Sequence, residues 1–253
     1  MASAMGQQLM TRMLVTRPEP DTHSTVARLR ALDIDAVAVP VMVRQTLEAS
    51  LPPPEGFAGM VLTSMNGARA LADMGAVEQY KHLPVYAVGD RTAWEAQALG
   101  FTTVSSAGGD FGDLVNLLAR SNITGPLFYP AGRHQSADLA KATAPLGIMV
   151  AVSKVYEMVP VAALPEAIIT ALGQGELTAA LFYSRRTAQI FVDLVGDRLD
   201  PEARAQLAVL CLAEAVAQPL LAAHFNRISL ADRPDEEAMM TLALAFAREQ
   251  TGS

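Results

Sequence analysis

The sequence has almost no cysteine. Cys211 is the only one among 253 residues, so no disulfide can form within one chain. Disulfides are typical of secreted proteins, and their absence is expected in a reducing compartment. We therefore expect a cytoplasmic protein in which Cys211, within the apolar run 207–212, is buried as a small hydrophobic residue.

Long apolar segments and clusters of positive charge are also lacking. No apolar run approaches the roughly 20 residues that a membrane-spanning helix needs, so no membrane partner is expected. The sequence before Arg12 lacks the regions of a signal peptide, and the fold is expected to begin near this residue. The chain has 19 basic and 26 acidic residues, a net charge of −7. This balance disfavours nucleic acid as a partner, because phosphates require clustered Lys and Arg. An anionic small molecule requires only a locally positive site.

Several catalytic motifs are missing as well. There is no P-loop and no nucleophile elbow, and the segment Gly173-Gln174-Gly175 lacks the third glycine of a dinucleotide-binding turn. The four histidines have no spacing typical of a metal site: His23, His82, His134 and His224. A metalloenzyme and a Ser-His-Asp hydrolase are therefore disfavoured, and no metal is expected.

The sequence does contain a repeat. Residues 58–64 form an apolar segment that ends in Ser64, and residues 179–184 form a similar one that ends in Ser184, 184 − 64 = 120 positions later. Each is followed by a helix-like segment. Residues 85–93 likewise resemble residues 209–217, 209 − 85 = 124 positions later. A repeated strand–helix unit indicates two similar α/β lobes.

The order of the predicted elements gives the fold class. Strands alternate with helices of about 8 to 12 residues, which predicts α/β lobes with parallel sheets flanked by helices. Two long strands, about 36–43 and 148–159, fall at equivalent places in the copies. If each crosses between lobes, residues 10–40 and 160–253 form a discontinuous domain. Residues 44–156 are then an inserted domain, and residues 41–43 and 157–159 are linkers.

Polar residues stand where predicted strands end and helices begin, in the turns 63–66, 89–92 and 184–187. Unpaired N–H groups at a helix start, with the helix dipole, bind carboxylate or phosphate well. Alternatively, Ser64, Thr92 and Ser184 only cap their helices. Three such turns at the same edge of two lobes favour an anion site.

Five arginines also follow predicted strands: Arg17, Arg91, Arg133, Arg185 and Arg186. Most arginines are solvated surface charges, but this shared placement in an acidic protein favours contacts with an anion. Tyr156 closes the second long strand, where a tyrosine is more often structural.

Six segments together resemble a known family. In order along the chain they are Leu14–Pro18, Val61–Gly67, Tyr86–Ala93, Gly132-Arg133, Val155-Tyr156 and Phe182–Ser184. They resemble the uroporphyrinogen-III synthase family, and the resemblance covers about residues 12–250.

The resemblance implies two α/β lobes joined by a two-stranded linker, with the substrate bound between them. It implies cyclisation of hydroxymethylbilane, a linear tetrapyrrole octacarboxylate, to uroporphyrinogen III with inversion of ring D and loss of water. It implies a monomer of heme biosynthesis that needs no cofactor. Tyr156 is implied as the acid that helps the hydroxyl leave. The expected substrate-binding residues, from the resemblance and the strand-end turns together, are Arg17, Ser64, Asn66, Arg91, Thr92, Arg133, Ser184 and Arg185.

A second class of function fits the same pattern. Fold does not imply function, and duplicated α/β lobes also occur in proteins that bind a ligand without converting it. The alternative is therefore a non-enzymatic two-lobed binding or sensor protein for an anionic ligand such as a tetrapyrrole.

Overall fold

The computed structural model describes residues 11–135 and 137–251. The chain divides into two compact units. The first unit holds residues 11–43 and 159–251, and the second unit holds residues 44–158. The segment predicted to precede the fold falls mainly on residues 1–10, which lie outside the described residues.

The strands of the described residues are short, apart from one of 11 residues. In chain order they are β1 (Arg12–Val15), β2 (Asp35–Ala38), β3 (Met42–Thr46), β4 (Gly59–Leu62), β5 (Val85–Ala87), β6 (Val104–Ser106), β7 (Leu127–Gly132), β8 (Val150–Pro160), β9 (Ala179–Phe182), β10 (Ala208–Cys211) and β11 (Arg227–Leu230).

The α-helices alternate with these strands, and two short 3-10 turns, Ala144–Leu146 and Gly196–Arg198, extend α6 and α8. In chain order the α-helices are α1 (Asp21–Arg30), α2 (Met65–Asp73), α3 (Val77–Tyr80), α4 (Asp90–Ala98), α5 (Phe111–Arg120), α6 (Leu139–Thr143), α7 (Glu166–Gly173), α8 (Arg185–Val195), α9 (Pro201–Gln206), α10 (Glu214–Ala222) and α11 (Glu236–Thr251).

The two sheets share one topology. The five-stranded sheet has the order β11-β10-β9-β1-β2, and the six-stranded sheet has the order β3-β8-β7-β4-β5-β6. Read from β6 to β8, the second order repeats the first, so β4 corresponds to β9 and β7 to β1. The strands within each of these five-stranded sets pair in parallel. The predicted α/β class with two similar parallel sheets is confirmed.

The strand β3 is the exception to parallel pairing. The N–H of Leu47 donates to the carbonyl of Val155 at 2.8 Å, and that of Val161 donates to the carbonyl of Val41 at 3.0 Å. Residue numbers fall along β3 as they rise along β8, so the two strands run antiparallel. Both strands include a boundary between the units, at residues 43/44 and 158/159.

The predicted strand over residues 36–43 is two strands. β2 ends at Ala38 and β3 begins at Met42, and the two belong to different sheets. Pro40 lies between them, and a proline has no N–H group to continue a ladder. The second predicted long strand is β8, which is continuous.

The cores explain why the central strands are apolar along their whole length. All four residues of β4, β9 and β10 are buried, as expected for parallel strands covered by helices on both faces. In the second unit, Met60 and Phe128 pack on one face of the sheet with residues of α2 to α4. Val61 and Tyr129 pack on the opposite face with residues of α5 and α6. This alternation places the Tyr129 ring beneath α5.

Candidate functional site

In the second unit, β4 ends in a turn that carries hydroxyl groups. Thr63 and Ser64 follow β4 directly, and Ser64 is the N-cap of α2, with its side chain accepting the N–H of Asn66 at 3.2 Å. The amide of Asn66 lies 3.8 Å from the sulfur of Met158. The predicted capping role of Ser64 is therefore real, and it fixes this hydroxyl at the carboxyl end of the sheet.

A pocket of about 200 Å³ opens beside this turn, entirely within the second unit. Its walls include Phe111, Gly132 and Ala137. The strand order reverses between β4 and β7, and open α/β sheets bind ligands at such a crevice. Six polar side chains also line the pocket: Thr63, Ser64, Tyr129, His134, Gln135 and Tyr156.

An irregularity in β8 sets the position of Tyr156. In the ladder with β7, Ala131 pairs with Lys154 but Gly132 pairs with Tyr156, so Val155 is an extra residue. A bulge of this kind changes the direction of the side chain that follows it. The N–H of Arg133 donates to the Tyr156 carbonyl at 2.8 Å. Tyr156 lines the pocket, while Val155 is fully buried.

The phenol of Tyr156 is protonated at neutral pH. Burial raises its pKa above the ordinary value, and the hydrogen bond with Ser64 and the charge of Arg44 offset part of that rise. Burial likewise raises the pKa of Tyr129, with Thr63 opposing the shift and Tyr156 adding to it. The pocket therefore presents neutral O–H groups, which can donate hydrogen bonds to oxygen atoms.

The other predicted residues of the second unit lie near the sheet's carboxyl edge but do not line this pocket. Arg133 is half exposed and pairs with Glu157 at 2.9 Å. Arg91 is exposed in the first turn of α4. Thr92 is buried in the same turn and is not the cap, because Gly89 occupies the N-cap position.

In the first unit, Ser184 and Arg185 begin α8. Ser184 is the N-cap, and its side chain accepts the N–H of Thr187 at 3.2 Å. Arg185 is the first residue of the helix and is exposed. The helix α10 of the first unit corresponds to α4 of the second unit. Its N-cap is Ala213, which makes no side-chain capping hydrogen bond.

Arg17 lies in a network of charges in the first unit. Its guanidinium donates to Glu236 at 2.5 Å and to Asp21 at 2.8 Å. It also donates to Thr25 at 3.1 Å and lies 4.0 Å from the centre of the Tyr183 ring. Two carboxylates thus neutralise Arg17, whose side chain is only 19% exposed. Its predicted contact with substrate stays a prediction.

Sequence reasoning missed four polar side chains of the pocket: Thr63, Tyr129, His134 and Gln135. The position of Thr63 and Tyr129 in the pocket could have been predicted, because they lie near the carboxyl ends of the two strands between which the strand order reverses. His134 and Gln135 had none, since they lie in the irregular segment after β7. Of the predicted residues, the structure brings Ser64 and Tyr156 together.

Residues 11–135 and 137–251 contain neither a candidate metal site nor a candidate membrane-spanning helix. No cluster of three or more His, Cys, Asp or Glu side chains is arranged to hold a metal ion there. None of the helices in that part of the chain is both long and apolar enough to cross a membrane.

Comparison with known proteins identifies the family. The family model described as uroporphyrinogen-III synthase HemD matches residues 23–241, well over half of the chain. The chain belongs to the uroporphyrinogen-III synthase family. The resemblance that the ordered motifs carry is thus confirmed. No curated protein matches the sequence.

The chain is similar to solved structures of uroporphyrinogen-III synthases. The uroporphyrinogen-III synthetase of Helicobacter pylori has 17% sequence identity and a TM-score of 0.62, with 94% of this chain and 100% of that chain covered. A mutant uroporphyrinogen III synthase of Thermus thermophilus also has 17% identity, with a TM-score of 0.49 and coverage of 95% and 99%. At this identity the Helicobacter structure supports the fold.

For this member of the uroporphyrinogen-III synthase family, Arg17→Met should lower stability. The change removes the cation that contacts both Asp21 and Glu236, and we expect a loss of about 1–2 kcal/mol, reduced by partial solvent exposure. Urea unfolding measures the effect. Arg185→Met is the control, since a change at an exposed residue should stay within about 0.5 kcal/mol. Wild-type stability of Arg17→Met would contradict a stabilising role for these ion pairs, and a raised KM in the same variant would separately report a contact of Arg17 with substrate.

Proposed function

We propose that this chain catalyses the closure of hydroxymethylbilane to uroporphyrinogen III, with inversion of ring D and loss of water. The family match over residues 23–241 carries this conclusion. The enzyme is then a cyclising lyase of tetrapyrrole biosynthesis. The hydroxyl-lined pocket at the carboxyl edge of the second unit's sheet is where we place part of the chemistry.

In this reaction, the C–O bond of the hydroxymethyl group breaks and the oxygen leaves as water. We propose that Tyr156 donates the proton, because its phenol is neutral at pH 7 and lines the pocket. A phenol with a raised pKa is a weak acid, so its contribution to the rate is limited. Hydroxymethylbilane also cyclises unaided to the type I isomer. The enzyme must therefore act largely by holding the chain in the conformation that inverts ring D.

The carboxylates of the substrate require donors and positive charge. We propose that Ser64 and Asn66 at the start of α2, and Ser184 and Arg185 at the start of α8, contact them, because helix starts attract anions. The remaining proposed contacts are Arg17, Arg91, Thr92 and Arg133.

We propose further that the protein is a cytoplasmic monomer that acts without cofactor, metal or nucleic acid. The buried single Cys211 and the net charge of −7 support the compartment and the absence of a nucleic-acid partner. We also propose two domains, residues 10–40 with 160–253 and residues 44–156, with residues 41–43 and 157–159 as linkers.

The purified protein is expected to convert hydroxymethylbilane mainly to the type III isomer in buffer with a chelator and no added cofactor. Chromatography of the oxidised products separates the isomers, and a reaction without protein gives the spontaneous type I background. If the protein binds a tetrapyrrole but yields only type I at the spontaneous rate, the chain is the non-enzymatic binding protein instead.

A further inference from the structure

The pocket of the second unit contains a hydroxyl pair to which the proposed chemistry assigns no role. The phenol oxygen of Tyr129 lies 2.6 Å from the side-chain oxygen of Thr63. Tyr129 is on β7 and is 4% exposed, and Thr63 follows β4. Both line the pocket beside Ser64 and Tyr156. Successive residues of one turn thus hold tyrosines from two adjacent strands.

The Thr63–Tyr129 pair has one hydroxyl proton more than its mutual hydrogen bond uses. Each hydroxyl has one proton, and one of the two protons lies between the oxygens. Within the described residues, this mutual bond is the one hydrogen bond that the side-chain oxygens of Thr63 and Tyr129 make. The second proton is therefore available to a molecule in the pocket, and a buried hydroxyl without a partner costs free energy.

The repeat shows that the fold does not require this pair. With an offset of 120, Tyr183 of the first unit corresponds to Thr63. The ladders pair Gly59 with Leu127 and Ala179 with Met13, so Val15 corresponds to Tyr129. Val15 has no hydroxyl, yet the first unit forms the same sheet. Among the residues that the structure describes, the pair belongs to the second unit alone.

We propose that the Thr63–Tyr129 pair donates a hydrogen bond to the departing hydroxyl oxygen of the substrate, beside Tyr156. This inference rests on the proposed function. The hydrogen bond with Thr63 holds the Tyr129 phenol in place. The second proton of the pair forms a hydrogen bond with the leaving oxygen and orients this oxygen toward the Tyr156 phenol. No proton leaves the pair, so the pair orients and stabilises the leaving group while Tyr156 protonates it. Tyr156 contributes to the raised pKa of Tyr129, which agrees with the closeness of the two phenols.

The test compares the loss of two buried phenols in the same unit. Tyr129→Phe is expected to lower kcat for uroporphyrinogen III about three- to tenfold with KM changed less than about twofold, as for one lost hydrogen bond. Tyr80→Phe is the matched control. The Tyr80 side chain is fully buried and donates to the carbonyl of Pro52, and it does not line the pocket. Tyr80→Phe should lower the melting temperature and leave kcat unchanged.

Variants of the partner separate positioning from packing. Thr63→Val should reproduce the fall in kcat, and Thr63→Ser, which keeps the hydroxyl, should restore most of it. The double variant Thr63→Val, Tyr129→Phe should be no slower than Tyr129→Phe alone, because the residues act as one unit.

Three results would overturn the inference in an active wild-type enzyme: wild-type kcat in Tyr129→Phe, no rescue by Thr63→Ser, or additive losses in the double variant. A wild-type protein that forms no type III isomer would overturn the proposed function first. The order of measurements therefore distinguishes the two failures.

Discussion

Gly132→Ala is expected to slow uroporphyrinogen III formation about 10- to 100-fold while leaving the free energy of unfolding nearly unchanged. A β-carbon on Gly132 would lie 2.9 Å from Cζ of Tyr156 and 3.1 Å from its hydroxyl. These atoms are at the far end of a side chain that can swing aside. The backbone can then remain in place while the phenol leaves its position beside Ser64. The glycine matters because it makes room for the proposed acid.

Comparison with Tyr156→Phe tests this cause. Steady-state rates and isomer ratios should be similar for Gly132→Ala, Tyr156→Phe and the double variant, with type I rising in each. Gly173→Ala is the control, because a β-carbon there has no neighbour within 4 Å. Urea unfolding should give wild-type stability for Gly132→Ala. Wild-type rates and isomer ratios in both single variants would reduce Tyr156 to a packing residue.

The pKa of Tyr156 predicts how the wild-type rate should depend on pH. A raised pKa keeps the acid form present at neutral pH, and the acid is lost only above that raised pKa. The wild-type rate should thus show no fall due to Tyr156 between about pH 7 and 9. The pH dependence of the wild-type rate is measured with the same assay as the rates of the variants.

The repeated plan of the fold could be predicted from the sequence because it depends on local patterns. The apolar segments that end at Ser64 and Ser184 are four-residue buried strands, β4 and β9, each followed by a helix. Their spacing of 120 recurs in the structure, since β4 begins at Gly59 and β9 at Ala179, and 179 − 59 = 120. Burial on both faces produces this signal in the sequence itself.

The shortest strands and helices could not be predicted from the sequence, because three or four residues are too few to show a periodic pattern of apolar residues. β6 has three residues and α3 has four. β7 continues through Pro130 to Gly132, although a proline usually ends a central strand. Pro130 is tolerated here because the ladder of β7 with β4 extends only to Phe128, while the ladder of β7 with β8 continues to Gly132.

The polar pocket required the three-dimensional structure. Thr63 and Tyr129 are 66 positions apart, and nothing local in the sequence indicates that their oxygens meet. The direction of Tyr156 depends on a bulge of one residue at Val155, which alternation of side chains along β8 would not predict. The family resemblance supplied Tyr156 and Ser64, but it assigned no role to Thr63 or Tyr129. Such contacts depend on register, and a shift of one residue reverses which face a side chain occupies.

The close approach of α2 to β7 gives the largest expected effect on stability. Gly67 lies in the first turn of α2, and a β-carbon there would lie 2.5 Å from the carbonyl oxygen of Pro130. This neighbour is backbone in a central strand, so it cannot swing aside as the Tyr156 ring can. Only glycine allows this helix to lie so near the strand.

Gly67→Ala therefore sets two effects against each other. Helix propensity alone would stabilise the protein by about 1 kcal/mol, whereas overpacking against a rigid backbone should destabilise it by about 3 kcal/mol. We expect the steric effect to exceed the propensity effect, with a net loss of about 2 kcal/mol in urea unfolding. In the control Gly173→Ala, in α7, only the propensity effect remains, and stability should rise by up to about 1 kcal/mol. A stabilised Gly67→Ala would mean that α2 can move away from β7 at little cost. In that case the turn that carries Thr63 and Ser64 would be less rigid than the pocket geometry requires.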